Sequence, residues 1–149
     1  MEFRGVDNQT VELKITNYQF PKSLDRDWDG NWLNIYIKVD SKVGKWQTID
    51  PSLTTWEVQE LIDWFTDLSN DLKPKWIDME FTEPNLSFYL LNDFNLSKKQ
   101  IRIKLDLECR PKSAKEDKEY FVDFEFNNSD LKKISSDLMA ELKKYPIRK

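Results

Sequence analysis

Three aspartates and a glycine in one short segment have the residue types and spacing of a calcium-binding loop. Asp25, Asp27 and Asp29 alternate and Gly30 follows them, as in the first half of an EF-hand. A full EF-hand also needs a bidentate Glu at the twelfth loop position, which here is Tyr36. We therefore predict no bound metal and no cofactor. A weak cation site, a solvated acidic turn and a negatively charged docking surface remain open for this loop.

The remaining titratable residues do not form a recognisable catalytic set. The chain has no histidine and one cysteine, Cys109, so Ser-His-Asp triads, Cys-His dyads and His-ligated zinc sites are excluded. Cys109 is interpreted as a packed core thiol. Three pairs of carboxylates lie two residues apart on predicted strands: Asp78 with Glu80, Asp106 with Glu108, and Asp123 with Glu125.

Such pairs could serve a glycosidase, which keeps a hydrolase acting through carboxylates as a further alternative. Cross-strand salt bridges to Arg102, Lys104 and Arg110 explain the pairs better. We therefore predict that the protein is not an enzyme.

Length and composition indicate one soluble globular domain over residues 1–149. Aromatic residues make up 13% and charged residues 34% of the chain, and disordered chains are poor in aromatics. No apolar run reaches the ~20 residues of a membrane helix. The first ten residues lack the pattern of a secretory signal, and one cysteine suits a reducing compartment. We predict a cytoplasmic protein that does not bind a membrane.

Most of the chain alternates apolar and polar residues, which is the pattern of half-buried strands. Seven segments show it: residues 10–20, 31–40, 45–50, 76–83, 86–93, 100–110 and 120–126. Pro51 is predicted to end the third of these. A polar loop over residues 111–119 separates the last two.

Two segments change to helical spacing. Thr54 and Glu57 have the spacing of a capping box, and the apolar residues that follow predict a helix over about 55–70. A second helix is predicted after an Asn128 or Ser129 cap, and Pro146 ends it. The order strands, helix, strands, helix indicates an α+β fold: a mostly antiparallel sheet of about eight strands with two helices packed on it.

Charge is distributed unevenly along the chain. Residues 1–97 contain 9 basic and 17 acidic side chains, a net charge of −8, whereas residues 98–149 contain 14 basic and 10 acidic ones, a net charge of +4. An acidic surface repels phosphate, so direct binding of nucleic acid is not expected. A basic protein suits it as a partner. A solvated surface of uneven charge is the alternative.

The six tryptophans exceed what the centre of one core is expected to hold. Trp28 and Trp32 flank the aspartate loop, and Trp56 and Trp64 share a helix face. Tryptophans beside acidic groups are typical of protein interfaces. They also commonly cap the edges of a core between a helix and a sheet, and both interpretations remain open.

Three segments together resemble the WapI-type immunity proteins of Gram-positive bacteria: WDGNWLNIYIKVD, LTTWEVQELIDWF and FTEPNLSF. The resemblance extends from the first strand to about residue 126. It implies an antidote, made beside a polymorphic toxin whose C-terminal nuclease domain cleaves tRNA, that binds this domain and stops it. No catalytic residues are implied, and the protein would act as a monomer or homodimer.

The acidic segments are the predicted contact surface for such a basic domain. The loop of Asp25, Asp27, Trp28 and Asp29 is the first candidate. Three acidic residues of the first helix are the second: Glu57, Glu60 and Asp63. The alternative function is a small module that binds a ligand or cation at the aspartate loop.

Overall fold

The computed structural model describes residues 1–23 and 28–148 and contains two antiparallel sheets of four strands each. The first sheet consists of β1 (Glu2–Arg4), β2 (Thr10–Tyr18), β3 (Trp32–Ser41) and β4 (Gly44–Thr54) in that spatial order. The second consists of β5 (Asp78–Met79), β6 (Leu86–Leu90), β7 (Lys98–Leu105) and β8 (Tyr120–Asn127). Helix α1 (Thr55–Ser69) follows the first sheet and α2 (Asn128–Lys143) the second. The predicted α+β class and element order are confirmed.

The strands follow the alternation of the sequence closely in the first sheet. Val11, Leu13 and Ile15 of β2 are buried, while Lys14 and Thr16 between and after them are exposed. Because side chains of a strand point to opposite faces in turn, one face of this sheet joins the core and the other faces solvent.

The four main differences from the predicted strands concern β1, β4, β5 and β7. β1 was not predicted, and β5 is only two residues long where a strand over residues 76–83 was expected. The strand predicted over residues 100–110 ends at Leu105, because Asp106 caps a 3₁₀ turn over Leu107–Cys109.

The fourth difference is at Pro51, which lies inside β4 instead of ending it. Leu33 pairs with Leu53 and Ile35 with Asp50, so Pro51 lies in a β-bulge. Because β4 is an edge strand and a bulge interrupts the ladder, the missing N–H of proline is tolerated there.

Each helix begins at a capping box. The side chain of Thr54 accepts a hydrogen bond from Glu57 N at 3.2 Å, and Glu57 Oε2 accepts one from Thr54 N at 2.9 Å, as predicted. At α2 the cap is Asn127, one residue before the predicted position, and it forms the reciprocal pair with Asp130 at 2.8 and 3.0 Å. These bonds satisfy N–H groups that have no partner inside the helix.

The buried apolar residues of both sheets and both helices form one cluster. Phe3 of β1 lies near its middle, with its ring centroid 5.8 Å from those of Phe65 in α1 and Phe88 in β6. Its centroid is 6.2 Å from that of Phe124 in β8. The short first strand therefore supplies a side chain that joins α1 to the second sheet.

A buried lysine connects the end of α1 with the start of α2. The Lys99 side chain is fully buried, and its Nζ donates to the Asp71 carboxylate and, at 2.6 Å, to Asn128 Oδ1. The hydrogen bond from Lys99 lowers the pKa of the Asp71 carboxyl below its ordinary value. Asp71 has a left-handed backbone with φ of 57°, a conformation that Asp adopts more readily than most residues.

Candidate functional site

The aspartate loop is described only from Trp28 onward. Asp25 and Asp27 lie outside the described residues, so their predicted roles stay predictions. Trp28 is 47% exposed, and the exposed Asp29 begins a 3₁₀ turn over Asp29–Asn31.

The buried side chain of Asn31 fixes the end of this loop. Asn31 Oδ1 accepts hydrogen bonds from Thr55 Oγ1 at 2.7 Å and from Arg148 N at 2.8 Å. Its Nδ2 donates to the carbonyl oxygen of Arg148 at 2.9 Å. The amide therefore joins the loop to the first turn of α1 and to the segment after α2.

The guanidinium of Arg148 binds backbone on both sides of residues 24–27. It donates to the carbonyl oxygens of Phe20 and Pro21, each at 3.0 Å, and of Gly30 at 3.3 Å. Its carbon atom lies 3.6 Å from the centroid of the Tyr18 ring, the geometry of cation–π stacking. The sequence had suggested Arg148 only as a cation for the C-terminal end of the last helix, and these contacts were missed because they are more than 100 residues away along the chain.

A tryptophan stack brings the loop and α1 together. The rings of Trp28 and Trp56 have centroids 5.5 Å apart and an interplanar angle of 28°. Trp32 meets Trp28 edge-on, with centroids 6.2 Å apart. The first and second candidate segments of the sequence are thus neighbours in space.

One face of α1 is acidic and continues from this stack. Trp56, Glu60, Asp63 and Asp67 lie within an arc of about 60° on the helix, since successive residues turn by about 100°. Glu60 and Asp63 are exposed and Asp67 is half-buried. None of these three carboxylates belongs to an ion pair among residues 1–23 and 28–148. Sequence reasoning had not selected Asp67, although its spacing of four from Asp63 could have identified it.

Glu57 is separated from the other predicted residues of α1. Its side chain is buried, with Oε2 bound by the N–H of Thr54 and Oε1 bound by the N–H of Thr82, both at 2.9 Å. Both carboxylate oxygens therefore bind the protein's own backbone. Glu57 is therefore no part of the surface that we propose for the partner.

A groove of about 400 Å³ lies between the acidic face of α1 and residues 75–79. Its lining residues are Glu60, Asp63, Trp64, Thr66, Asp67, Lys75, Trp76 and Met79. The Trp76 ring is 56% exposed, while Trp64 is buried and donates from Nε1 to the Trp76 carbonyl oxygen at 2.9 Å. The buried tryptophan thus positions the backbone of the exposed one.

We name the acidic–aromatic face by seven residues: Trp28, Asp29, Trp56, Glu60, Asp63, Asp67 and Trp76. Its two ends are the tryptophan stack and the groove.

Of the three predicted basic residues, one forms the expected salt bridge to a carboxylate pair of the strands. Arg102 Nε lies 2.8 Å from Asp123 Oδ1, and Lys104 Nζ lies 3.4 Å from Glu119 Oε1. Arg110 instead donates to a backbone carbonyl, that of Lys115. The interpretation as salt bridges to these pairs is therefore confirmed for Arg102 and wrong for Lys104 and Arg110, because Glu119 belongs to none of the three pairs.

Cys109 is fully buried, and the prediction of a core thiol is confirmed. Burial raises the pKa of its thiol to about 11, so the thiolate is scarce at neutral pH. Its Sγ lies 3.7 Å from Ser52 Oγ. Such a thiol is unsuited to nucleophilic chemistry.

Within residues 1–23 and 28–148, no three Cys, Asp or Glu side chains are grouped to hold a metal ion. The aspartate loop as a cation site stays a prediction, because Asp25 and Asp27 are not among these residues. Among the helices described, none is both long and apolar enough to cross a membrane.

Comparison with known families gives one match. A model of the immunity protein WapI-like family matches residues 2–146. The chain belongs to this family. In this WapI-like immunity protein, most residues of the acidic–aromatic face lie in two of the three segments on which the resemblance was based. Searches of curated proteins and of solved structures found no match.

Proposed function

We propose that this WapI-like immunity protein neutralises a toxin by binding its basic C-terminal nuclease domain, as a stoichiometric inhibitor and without catalysis. Family membership supports an immunity role. The acidic–aromatic face is our proposal for the surface that the toxin contacts.

The observation that carries the proposal is the uncompensated charge of α1. The helix contains four acidic residues and no basic one, and its three outward carboxylates have no ion-pair partner in the described part of the chain. Like charges three or four residues apart on a helix repel each other. A cationic partner would relieve this repulsion.

A nuclease that cleaves RNA supplies the matching surface, because it binds the phosphate backbone through basic residues. An acidic protein can occupy such a cleft and exclude the substrate. Long-range attraction speeds the encounter, with association rates up to about 10⁸–10⁹ M⁻¹s⁻¹ at low salt. Exposed tryptophans such as Trp28 and Trp76 then supply apolar contact area, which typically contributes most of the binding free energy.

The test uses the C-terminal domain of the toxin encoded beside this protein. Its cleavage of tRNA is measured while the immunity protein is added in increasing amounts. We expect inhibition to saturate at one immunity protein per toxin, and the dissociation constant to rise with salt. Lasting inactivation by substoichiometric amounts would instead indicate an enzyme, and undiminished cleavage at excess would reject the proposal for that pair.

A charge-reversed variant tests whether the toxin binds at the acidic–aromatic face. Glu60→Lys with Asp63→Lys should weaken binding more strongly at low salt than at high salt, because it reverses the field at the face. Glu116→Lys with Asp117→Lys changes the net charge equally in the exposed loop before β8 and serves as the matched control.

A further inference from the structure

We propose that the groove beside α1 accepts an arginine side chain of the toxin, with its guanidinium between the α1 carboxylates and the ring of Trp76. The inference rests on the proposed function, since it names the chemical group that would be recognised at the same face. It adds Asp67 and Trp76 to the residues that sequence reasoning selected.

The rim of the groove is suited to a cation. Glu60, Asp63 and Asp67 all line it from one helix. One oxygen of Asp63 is oriented by Gln59, whose Nε2 donates to Oδ1 at 3.0 Å. A guanidinium can donate to two carboxylate oxygens at once. A rim with three carboxylates, one of them oriented by Gln59, favours such a bidentate contact.

The aromatic wall is also suited to a cation. The Lys75 Nζ lies 5.6 Å from the centroid of the exposed Trp76 ring, within the range of a cation–π contact. The ring therefore already accepts a positive charge from its own chain. Lys75 is exposed, and its flexible stem allows the ammonium to move into solvent when another cation enters.

Arginine suits this combination better than lysine does. A guanidinium is planar, stacks on an indole face and donates through a fork, and it is more weakly hydrated than an ammonium. It can therefore use both the ring and the carboxylates. A lysine would use one of them at a time and would lose more hydration on entering.

The groove is close enough to the tryptophan stack for one partner to cover both. Trp56 and Asp67 are eleven residues apart on α1, a distance of about 16 Å along the helix axis. A standard interface buries about 800 Å² on each partner, a patch wider than this separation. An arginine in the groove would therefore fix the register of a partner that also contacts Trp28.

The first arm of the test needs no toxin. The ¹⁵N-labelled protein is titrated with N-acetyl-arginine amide, and the six indole N–H signals are followed by NMR, with the Trp76 signal assigned by its loss in Trp76→Phe. We expect a saturable shift of the Trp76 signal. The lysine analogue at equal concentration should shift it at most about half as far. The citrulline analogue, which has the same shape without charge, should cause none.

Lys75→Ala should lower the arginine concentration needed for half-saturation, because it removes a competing cation from the ring. A Trp76 signal that does not shift, or that shifts equally with citrulline, would overturn the inference.

The second arm uses the toxin domain and isothermal titration calorimetry. Trp76→Ala, and separately Asp63→Asn with Asp67→Asn, should each weaken binding about tenfold or more, the loss typical of a contact central to an interface. Ile49→Ala removes a similarly exposed apolar side chain from β4, and Asp117→Asn neutralises an exposed carboxylate in the loop before β8. Neither control should change the dissociation constant by more than about twofold.

The two arms separate this inference from the proposed function. If the wild-type protein binds the toxin and the groove variants bind it equally well, the inference fails and the proposed function stands. If the wild-type protein ignores the toxin, the proposed function fails for that pair, and the titration with arginine analogues alone decides what the groove recognises.

Discussion

Glu57 and Glu60 are one helical turn apart and have the same side chain, yet their surroundings give them different roles. Glu57 is 6% exposed, and its two oxygens accept backbone N–H groups of Thr54 and Thr82. Glu60 is exposed and lines the groove. A carboxylate that is bound on both oxygens stabilises the fold, whereas one without a partner is available to another molecule.

The same contrast separates the tryptophans and yields a prediction. Trp28→Ala removes a half-exposed ring from the acidic–aromatic face, so we expect toxin binding to weaken about tenfold while the free energy of unfolding changes by less than about 1 kcal/mol. Trp64→Ala, which empties a buried site, should destabilise the fold by about 3–5 kcal/mol. Urea unfolding and calorimetry measure the two quantities.

A Trp28→Ala variant that lost stability as strongly as Trp64→Ala would place Trp28 in the core and not in an interface.

At the scale of elements, α1 contains a conflict between folding and binding. Glu60, Asp63 and Asp67 repel one another at spacings of three and four residues. Asp67 also lies in the last turn, where the helix dipole disfavours negative charge. Local rules are commonly violated at functional sites, so this conflict agrees with a binding role for the helix.

Neutralising Asp67 should therefore stabilise the free protein. Asp67→Asn removes one repulsive pair and an unfavourable charge at the helix end, and we expect the free energy of unfolding to rise by about 0.5 kcal/mol. Chemical unfolding at low and high salt tests this, because screening should reduce the gain. A loss of stability at both salt concentrations would contradict the electrostatic account of α1.

Arg148, beyond α2, binds backbone on both sides of residues 24–27. Arg148→Ala removes the donors to the carbonyls of Phe20, Pro21 and Gly30, so we expect faster amide exchange near residues 29–31 and weaker toxin binding. Arg148→Lys keeps the charge but lacks the planar fork, and should restore little of either. Hydrogen exchange followed by mass spectrometry measures the first effect. Unchanged exchange in Arg148→Ala would show that Asn31 suffices to hold the loop.

Structural features that depend on neighbouring residues in the chain were predicted from the sequence, whereas features that depend on residues far apart in the chain were not. The bounds of α1 and its capping box were predicted within about one residue, because Thr54 and Glu57 act on their own turn. The groove was not predicted, because the connection after α1 is what brings Trp76 to the same groove as Asp67. The contact between Arg148 and Asn31 joins residues 117 apart, and no local pattern marks such a pair.

At the scale of the whole molecule, the link from Lys99 to Asp71 makes stability sensitive to acid. The pKa of Asp71 is lowered in the folded protein from an ordinary value of 3.8. The contribution of the Asp71 carboxylate to the free energy of unfolding is therefore complete above about pH 4. It is lost as the pH falls through the pKa of Asp71 in the folded protein. We expect Asp71→Asn to destabilise the protein at pH 7, and the gap from wild type to narrow by pH 3.

Urea midpoints at the two pH values measure this gap, with Asp117→Asn as the control for an exposed carboxylate. A gap that stays constant with pH would show that the ion pair contributes nothing to the acid response.

The burial of Cys109 has a practical consequence for measuring motions of this molecule. The cysteine thiolate attacks a disulfide reagent and releases its leaving thiolate, and a fully buried thiol with a pKa of about 11 presents almost no thiolate until the core opens. The rate of labelling in native buffer therefore reports how often the interior is exposed to solvent. A bound toxin domain should slow that labelling, so one buried sulfur atom can record whether the complex has formed.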